Sequence, residues 1–279
     1  MPIEAEASTR GHSARIFVRD DDAGELTPEL MYFCETFAGV GVPVSYQIIP
    51  ARLTLECADY LLRLHARYPA LVEFGQHGLH HKMTLRGRQL KREFGPERSL
   101  EDQTADIAEG SRLMRERLGD LGAVTVFTPP QHKYDRNTVL AAAKAGHSVF
   151  SGASYPSAHH QLAYKLGRHL KLSSVRHHGI SYHGHRRPEA DLIEVSISLA
   201  MDNGRKIRLT AADLPRAITS AMRLTNCVGL MFHHALYQSQ EAKAELTATA
   251  EALAAGGLDR LVSLSCLERE DRARRDLAN

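Results

Sequence analysis

Arg15-Ile16-Phe17-Val18-Arg19-Asp20-Asp21-Asp22 is the stretch on which the fold turns. The short run of β-branched and aromatic residues reads as a strand, and three successive carboxylates end it. Residues at the carboxyl end of a parallel strand belong to the face where α/β sheets and barrels build their sites. Adjacent carboxylates repel one another, so the cluster is unfavourable unless a cation offsets it. A turn or helix-cap cluster is the plain alternative, and it weakens when a second strand end carries matching chemistry.

That second end is Ala70-Leu71-Val72-Glu73-Phe74-Gly75 followed by Gln76-His77-Gly78-Leu79-His80-His81. His77 and His81 share one face if the segment turns helical after the strand, and His80 then points elsewhere. Two imidazoles and a carboxylate are a typical ligand set for zinc or a similar divalent ion. In a chain with 16 histidines the spacing alone is a weak signal, so its weight comes from the strand before it and the adjoining glycine. Val124–Phe127 leads into Thr128-Pro129-Pro130, a rigid turn able to wall a pocket. Val228–Phe232 ends in His233-His234, and an imidazole there can act as general acid toward a leaving amine. Strand alternation groups His233 with Met231 and opposes both to Leu230 and Phe232, which favours His233 and keeps His234 as the alternative.

Around these ends the chain alternates β-like runs with amphipathic stretches, the pattern of a parallel sheet covered by helices. The candidate strands are Arg15–Asp20, Pro43–Ile48, Leu71–Gln76, Ala123–Thr128, His147–Ser151, Leu192–Leu199, Cys227–His233 and Arg260–Ser265. The candidate helices are Pro28–Ala38, Leu55–Arg67, Leu100–Leu118, Arg136–Ala145, Ala211–Leu224 and Gln240–Ala255, with Glu268–Arg275 as a further exposed helix face. Thr27 before Pro28 and Ser99 before Asp102 read as N-terminal caps, and Gly146 and Gly256 as helix stops. Residues 15–279 read as one domain after an N-terminal extension, residues 1–14. An irregular insertion at about 152–190, rich in His and Arg, is long enough to suggest a substrate-facing role.

The balance of 35 basic and 33 acidic residues gives a net charge of +2 and points to no nucleic-acid partner. The four cysteines are scattered, fit no metal or redox spacing, and read as packed thiols. Residues 1–14 lack the basic and apolar regions of a signal peptide, and no run reaches a membrane span of about 18 apolar residues. The expectation is a cytoplasmic protein; a homo-oligomer stays open.

Taken in order, the segments resemble the polysaccharide deacetylase superfamily (NodB homology, carbohydrate esterase family 4). Asp21-Asp22, His77-Gly78-Leu79-His80-His81, Thr128-Pro129-Pro130 and Leu230-Met231-Phe232-His233 resemble its T-F-D-D-G, H-S/T-x-x-H, R-x-P-Y/F and L-x-x-H motifs. The resemblance runs from about residue 15 to 265 and is nearest the divergent intracellular branch with R-x-D-D and Pro-Pro motifs. It implies an α/β fold, a distorted, incomplete (β/α) barrel of seven or eight strands. It also implies one divalent metal held by Asp22, His77 and His81, zinc first, with cobalt, nickel or manganese as alternatives. Asp21 is then the general base and His233 or His234 the general acid. Arg19, Asp20, Thr128, Pro129 and Pro130 take substrate-binding positions, and the register within Asp20–Asp22 stays open by one.

The implied reaction is hydrolysis of the N-acetyl group of an amino sugar or sugar conjugate, a small molecule or a glycan. A non-sugar amidase of the same superfamily, similar to its allantoin and cyclic-imide hydrolases, is the alternative; a catalytically dead carbohydrate-binding relative is the third reading. The departures are Gly78 for Ser or Thr, Thr128 for an arginine that orients the base, Ala23 for glycine, and no tryptophan anywhere in the chain. Arg19 is the candidate replacement for the missing arginine.

Overall fold

The computed structural model describes residues 15–85, 88–90, 92–154, 185–187, 190–223, 225 and 227–277, together with 162 and 166. Its frame is a single sheet built on β1 (Arg15–Ala23), β2 (Val44–Ile48), β3 (Val72–His77), β6 (Val126–Thr128), β7 (Val149–Phe150) and β9 (Leu192–Glu194), side by side in chain order. β11 (Cys227–Phe232) and β10 (Leu199–Ala200) extend it on the other side of β1, so eight parallel strands curl into a half-barrel. β8 (His185–Arg187) closes one edge antiparallel to β9, and β4 (Met83–Leu85) and β5 (Arg88–Leu90) form a separate small hairpin. Among the described residues β10 and β8 do not meet, so the barrel stays incomplete. The helices are α1 (Pro28–Gly39), α2 (Leu55–Arg67), α3 (Leu100–Leu118), α4 (Arg136–Lys144), α5 (Leu214–Met222), α6 (Gln240–Ala255) and α7 (Leu264–Asp276).

Local signals in the sequence account for most of these boundaries. The Leu30 amide donates to Thr27 Oγ1 at 3.1 Å and the Asp102 amide to Ser99 Oγ at 3.0 Å, satisfying N–H groups that the first turn leaves unpaired. Two strand expectations are corrected. Arg260–Ser265 contributes only a bridge between Leu261 and Ile16, because the Leu264 and Ser265 amides cap α7 on the Glu73 carboxylate at 3.0 and 2.8 Å. Leu192–Leu199 is broken into β9 and the start of β10. The 1–14 extension lies outside the described residues, as do most of the 152–190 insertion and His159, His160, His177, His178 and His183.

The alternation of β1 divides the interior. Ile16 and Val18 face α1 and α2 in the larger core, with Phe33, Phe37 and Phe232. Phe17 faces the inside of the half-barrel with Val126, Val149, Ile197, Leu264 and Leu267, so α7 plugs its lower end. Burying a phenyl group of this kind contributes on the order of 2–3 kcal/mol. Gly229 on the neighbouring strand makes the room, since a Cβ there would overlap the Phe17 ring. Above this plug the same inner face turns polar, with Arg19 and Asp21.

Candidate metal centre and active site

A regular strand would send Asp21 and Asp22 to opposite faces. The register of β1 on β2 shifts between Asp20 and Ala23, and Asp22 adopts a left-handed φ of 71°. This bulge turns both carboxylates into one cavity of about 1140 Å³ at the carboxyl end of the sheet. Asp is among the few non-glycine residues that tolerate such a backbone, and strain of this type is characteristic of functional positions.

Asp22 meets His77 and His81 there. Its Oδ1 lies 3.3 Å from His77 Nε2 and 3.1 Å from His81 Nε2, and one donor atom from each of the three residues lies within 4.8 Å of the others. The rings converge without the helical turn expected from their spacing. His77 ends β3, and the chain then reverses through left-handed Gly78 (φ 63°) and His81 (φ 64°). Glu93 fixes this loop: Oε1 accepts from the Leu79 and His80 amides, each at 2.9 Å, and Oε2 from the His81 amide at 3.0 Å. A Cβ at position 78 would overlap Glu93 Oε2 and Pro130, so glycine here makes room for the carboxylate that holds the loop.

The donor set fits a cation. His77 Nδ1 donates to the Thr128 carbonyl at 3.1 Å, which fixes the tautomer and leaves the Nε2 lone pair of the neutral ring facing a carboxylate oxygen. That oxygen, Asp22 Oδ1, is buried and has no hydrogen-bond partner of acceptable geometry. Two acceptors aimed at one another are stable only with a positive charge between or beside them. Burial raises the Asp22 carboxyl, and only imidazoles that donate to it or carry positive charge bring it well below the usual carboxylate range, so the cluster calls for a proton or a cation. Two nitrogens and one oxygen suit a borderline divalent ion.

Asp21 is held differently. Its Oδ1 lies 2.8 Å from Arg19 Nε and its Oδ2 accepts from Nη2 at 3.0 Å, while Nη1 donates to the Ser151 carbonyl and hydroxyl at 2.9 and 2.7 Å. Burial pushes the Asp21 carboxyl up, and the guanidinium brings it net downward, leaving an oriented anion. Arg19 thus orients the Asp21 carboxylate. Thr128 itself is buried, donating its hydroxyl to Gln47 Oε1 at 2.7 Å.

On the opposite wall the His233 amide donates to Asp202 Oδ2 at 2.9 Å and its Nδ1 to Oδ1 at 2.6 Å. Burial disfavours the imidazolium, but Asp202 outweighs it and raises the pKa to about 9. His132 also lines the cavity, with Nδ1 3.5 Å from Arg19 Nη2 and Nε2 3.2 Å from Met231 Sδ. Burial first and then the guanidinium lower its pKa to about 3, so it is neutral.

The cavity therefore gathers Asp21, Asp22, His77, His81 and His233 from three strand ends, those of β1, β3 and β11. Arg19, Asp20, Thr128, Pro129, Pro130 and His234 do not line it. Arg19 stands behind Asp21 and Thr128 behind His77, and Pro130 packs against Gly78. Asp20 accepts from the His234 amide at 2.9 Å and from its Nδ1 at 2.8 Å on the helix side of the sheet. Sequence reading gave no role to Asp202, Glu93 or His132. Met201-Asp202-Asn203-Gly204 reads as a turn, Glu93 lies in a charged run, and His132 was one histidine among many.

No family model and no curated protein matches the chain. Among solved structures it is similar to a provisionally assigned polysaccharide deacetylase from Mycobacterium smegmatis, with 15% identity, 96% of this chain and 93% of that one covered, and a TM-score of 0.64. It is similar to a family 4 acetyl xylan esterase from Clostridium thermocellum in complex with a cobalt ion, at 12% identity, 87% and 84% coverage and a TM-score of 0.51. A mutant of a family 4 pseudoenzyme aligns at 10% identity, over 89% of this chain and 65% of that one, with a TM-score of 0.51. The fold is that of the polysaccharide deacetylases. Among the described residues no helix is long and apolar enough to cross a membrane.

Proposed function

We propose that this chain is a metal-dependent deacetylase that hydrolyses the N-acetyl group of an amino sugar or sugar conjugate. The observation that carries the reading is the convergence of three separately supported groups on one cavity: the Asp22-His77-His81 donor set, Asp21 on Arg19, and His233 on Asp202. The fold alone does not carry it, since one neighbour is a pseudoenzyme.

Asp22, His77 and His81 would hold one divalent ion, zinc by preference for this nitrogen and oxygen set. When bound, the ion would lower the pKa of a water and polarise the acyl oxygen. Asp21, ionised and fixed by the guanidinium, accepts the proton of the attacking water. His233, kept protonated by Asp202, donates a proton to the departing amine, so acetate and a free amine leave. Glu93 and the Thr128 carbonyl hold the two imidazoles in place through the steps.

A second reading, hydrolysis of a non-sugar amide, draws on the cavity wall. Leu199, Ile207, Leu209, Met231 and Leu236 make it aliphatic, and among its described lining residues there is no Trp, Tyr or Phe on which a sugar ring could stack. The test measures bound metal and acetate release from N-acetyl sugars, nucleotide sugars and cyclic imides, with wild type beside His77→Ala, His81→Ala and Asp22→Ala. Stoichiometric metal lost in all three variants, together with acetate release by wild type only, is the expected result. Undiminished metal binding in the variants would sink the ligand assignment, and ring opening of imides without acetate release would favour the second reading.

A further inference from the structure

One wall of the cavity carries charge that the hydrolytic steps do not use. The segment after β10 folds back as a tight hairpin: Asp202 bridges Ile207, the Lys206 amide donates to Asn203 Oδ1 at 3.0 Å, and the Arg208 amide to the Met201 carbonyl at 2.7 Å. Its outgoing arm carries Asp202, which holds His233. Its returning arm carries Lys206 and Arg208, two apart and hence on one side of an extended chain, while Ile207 and Leu209 pack against the larger core. Both cations are exposed and both line the cavity.

The acidic groups of that cavity are engaged elsewhere: Asp21 on Arg19, Asp22 on the histidines, Asp202 on His233. Among the described residues neither Lys206 nor Arg208 has an ion-pair partner. In the same wall the hydroxyl of Ser198, a buried residue, has no hydrogen-bond partner among the described residues, a state that buried hydroxyls in native proteins rarely keep without a ligand or water.

We propose that the 198–209 wall, through Lys206, Arg208 and Ser198, binds an anionic group, carboxylate or phosphate, on the substrate whose amide is cleaved at Asp22, His77 and His81. The inference rests on the amide-hydrolysis reading for the word substrate, and on the wall alone for the anion. Two cations on this wall favour a molecule with an anionic substituent and add attraction on approach. Because the anion is bound equally in the ground and transition states, its loss raises KM and leaves kcat nearly constant.

The experiment compares N-acetylglucosamine, the same sugar carrying a phosphate monoester, and N-acetylmuramic acid, which carries a carboxylate. Amine release and equilibrium binding are both measured on the full chain loaded with zinc. Wild type is expected to show a kcat/KM roughly tenfold higher for an anionic compound than for the neutral sugar, equivalent to about 1.4 kcal/mol, carried by KM and reduced by added salt. In Lys206→Glu/Arg208→Glu the ratio should fall to one or below; Lys206→Gln/Arg208→Gln reads the same ratio if charge reversal impairs folding. Preference for only one of the two anions assigns the group as phosphate or carboxylate. Equal rates on charged and neutral compounds, or a ratio kept in both double variants, overturns the proposal and leaves the deacetylase reading standing. No turnover at all, with tighter binding of an anion that the double variants lose, supports the anion site and sinks that reading. Neither turnover nor selective binding overturns the anion site.

Discussion

His233 and His234 are consecutive, and each gives both its backbone amide and its Nδ1 proton to the two oxygens of one buried aspartate. The distances are 2.9 and 2.6 Å to Asp202 for the first and 2.9 and 2.8 Å to Asp20 for the second. The two pairs differ in what lies on the far side of the ring. The His233 side chain is 19% exposed and opens on the cavity, whereas that of His234 is 6% exposed and sealed on the helix side of the sheet. The same chemistry is thus used once to hold a proton where a substrate can reach it and once to lock β11 to β1. Which histidine can act as an acid is decided by the pleat of β11 and not by its partner.

The sharpest way to break this comparison is to remove each imidazole in turn. His233→Gln should lower kcat for acetate release by roughly a hundred- to ten-thousandfold, the usual worth of a positioned general acid, with the thermal midpoint nearly unchanged. Asp202→Asn should follow it in direction, since the oriented imidazolium is lost. An equal drop in kcat for a folded His234→Gln would remove the distinction between the pairs.

His234→Ala should act on stability instead. It leaves Asp20 buried without its partner, which costs about 3–5 kcal/mol in urea unfolding, while the folded fraction keeps its kcat. Burial already raises the Asp20 carboxyl, so much of the loss should be recovered by Asp20→Asn in the same chain, which removes the stranded charge. A His234→Ala protein as stable as wild type would mean that the sealed pair contributes nothing to the junction of β1 and β11.

The parts of this site that were legible in the sequence are those whose signal is local. β1, β3 and β11 are apolar runs ended by polar residues, so Asp21, Asp22, His77 and His233 could be set at strand ends from periodicity alone. What was not legible depends on partners distant in the chain. Asp202 lies 31 residues before the histidine it holds, in a stretch with every mark of a turn. Glu93 lies 12 to 14 residues beyond the amides it binds, and nothing in their spacing announces a nest of three N–H groups. The left-handed backbone at Asp22 and His81 escaped for the same reason: alternation and helical periods describe regular chain, and the ligands sit where regularity ends.

Glu93 extends the comparison to the other wall, since it orients a catalytic element from behind as Asp202 does. Glu93→Ala leaves three amides of the histidine loop without an acceptor and frees His81. Zinc affinity should fall about ten- to a hundredfold by competition with a chromophoric chelator, the range seen when groups supporting metal ligands are removed. Unaltered affinity would show that His77 and Asp22 fix the site without the loop.

The smallest expected effect is also the most specific to the open pair. Asp202 lifts His233 from an ordinary 6.5 to about 9, so the proton that the acid must donate is kept through neutral pH and lost as pH rises through about 9. The rate on the alkaline side should fall with that midpoint, and Asp202→Asn should move the fall to lower pH, because burial then acts on the imidazolium against only the charges of Asp21 and Asp22. Stability follows the same sign: the raised pKa makes the contribution of this pair complete below 6.5, and it drains away between there and about 9. The coincidence of the two profiles is the discriminating result. The sealed pair lacks contact with the cavity, so it can bend the stability curve but not the rate, and a rate midpoint near 9 that coincides with the upper end of the stability loss in wild type, both displaced by Asp202→Asn, assigns the titration to His233.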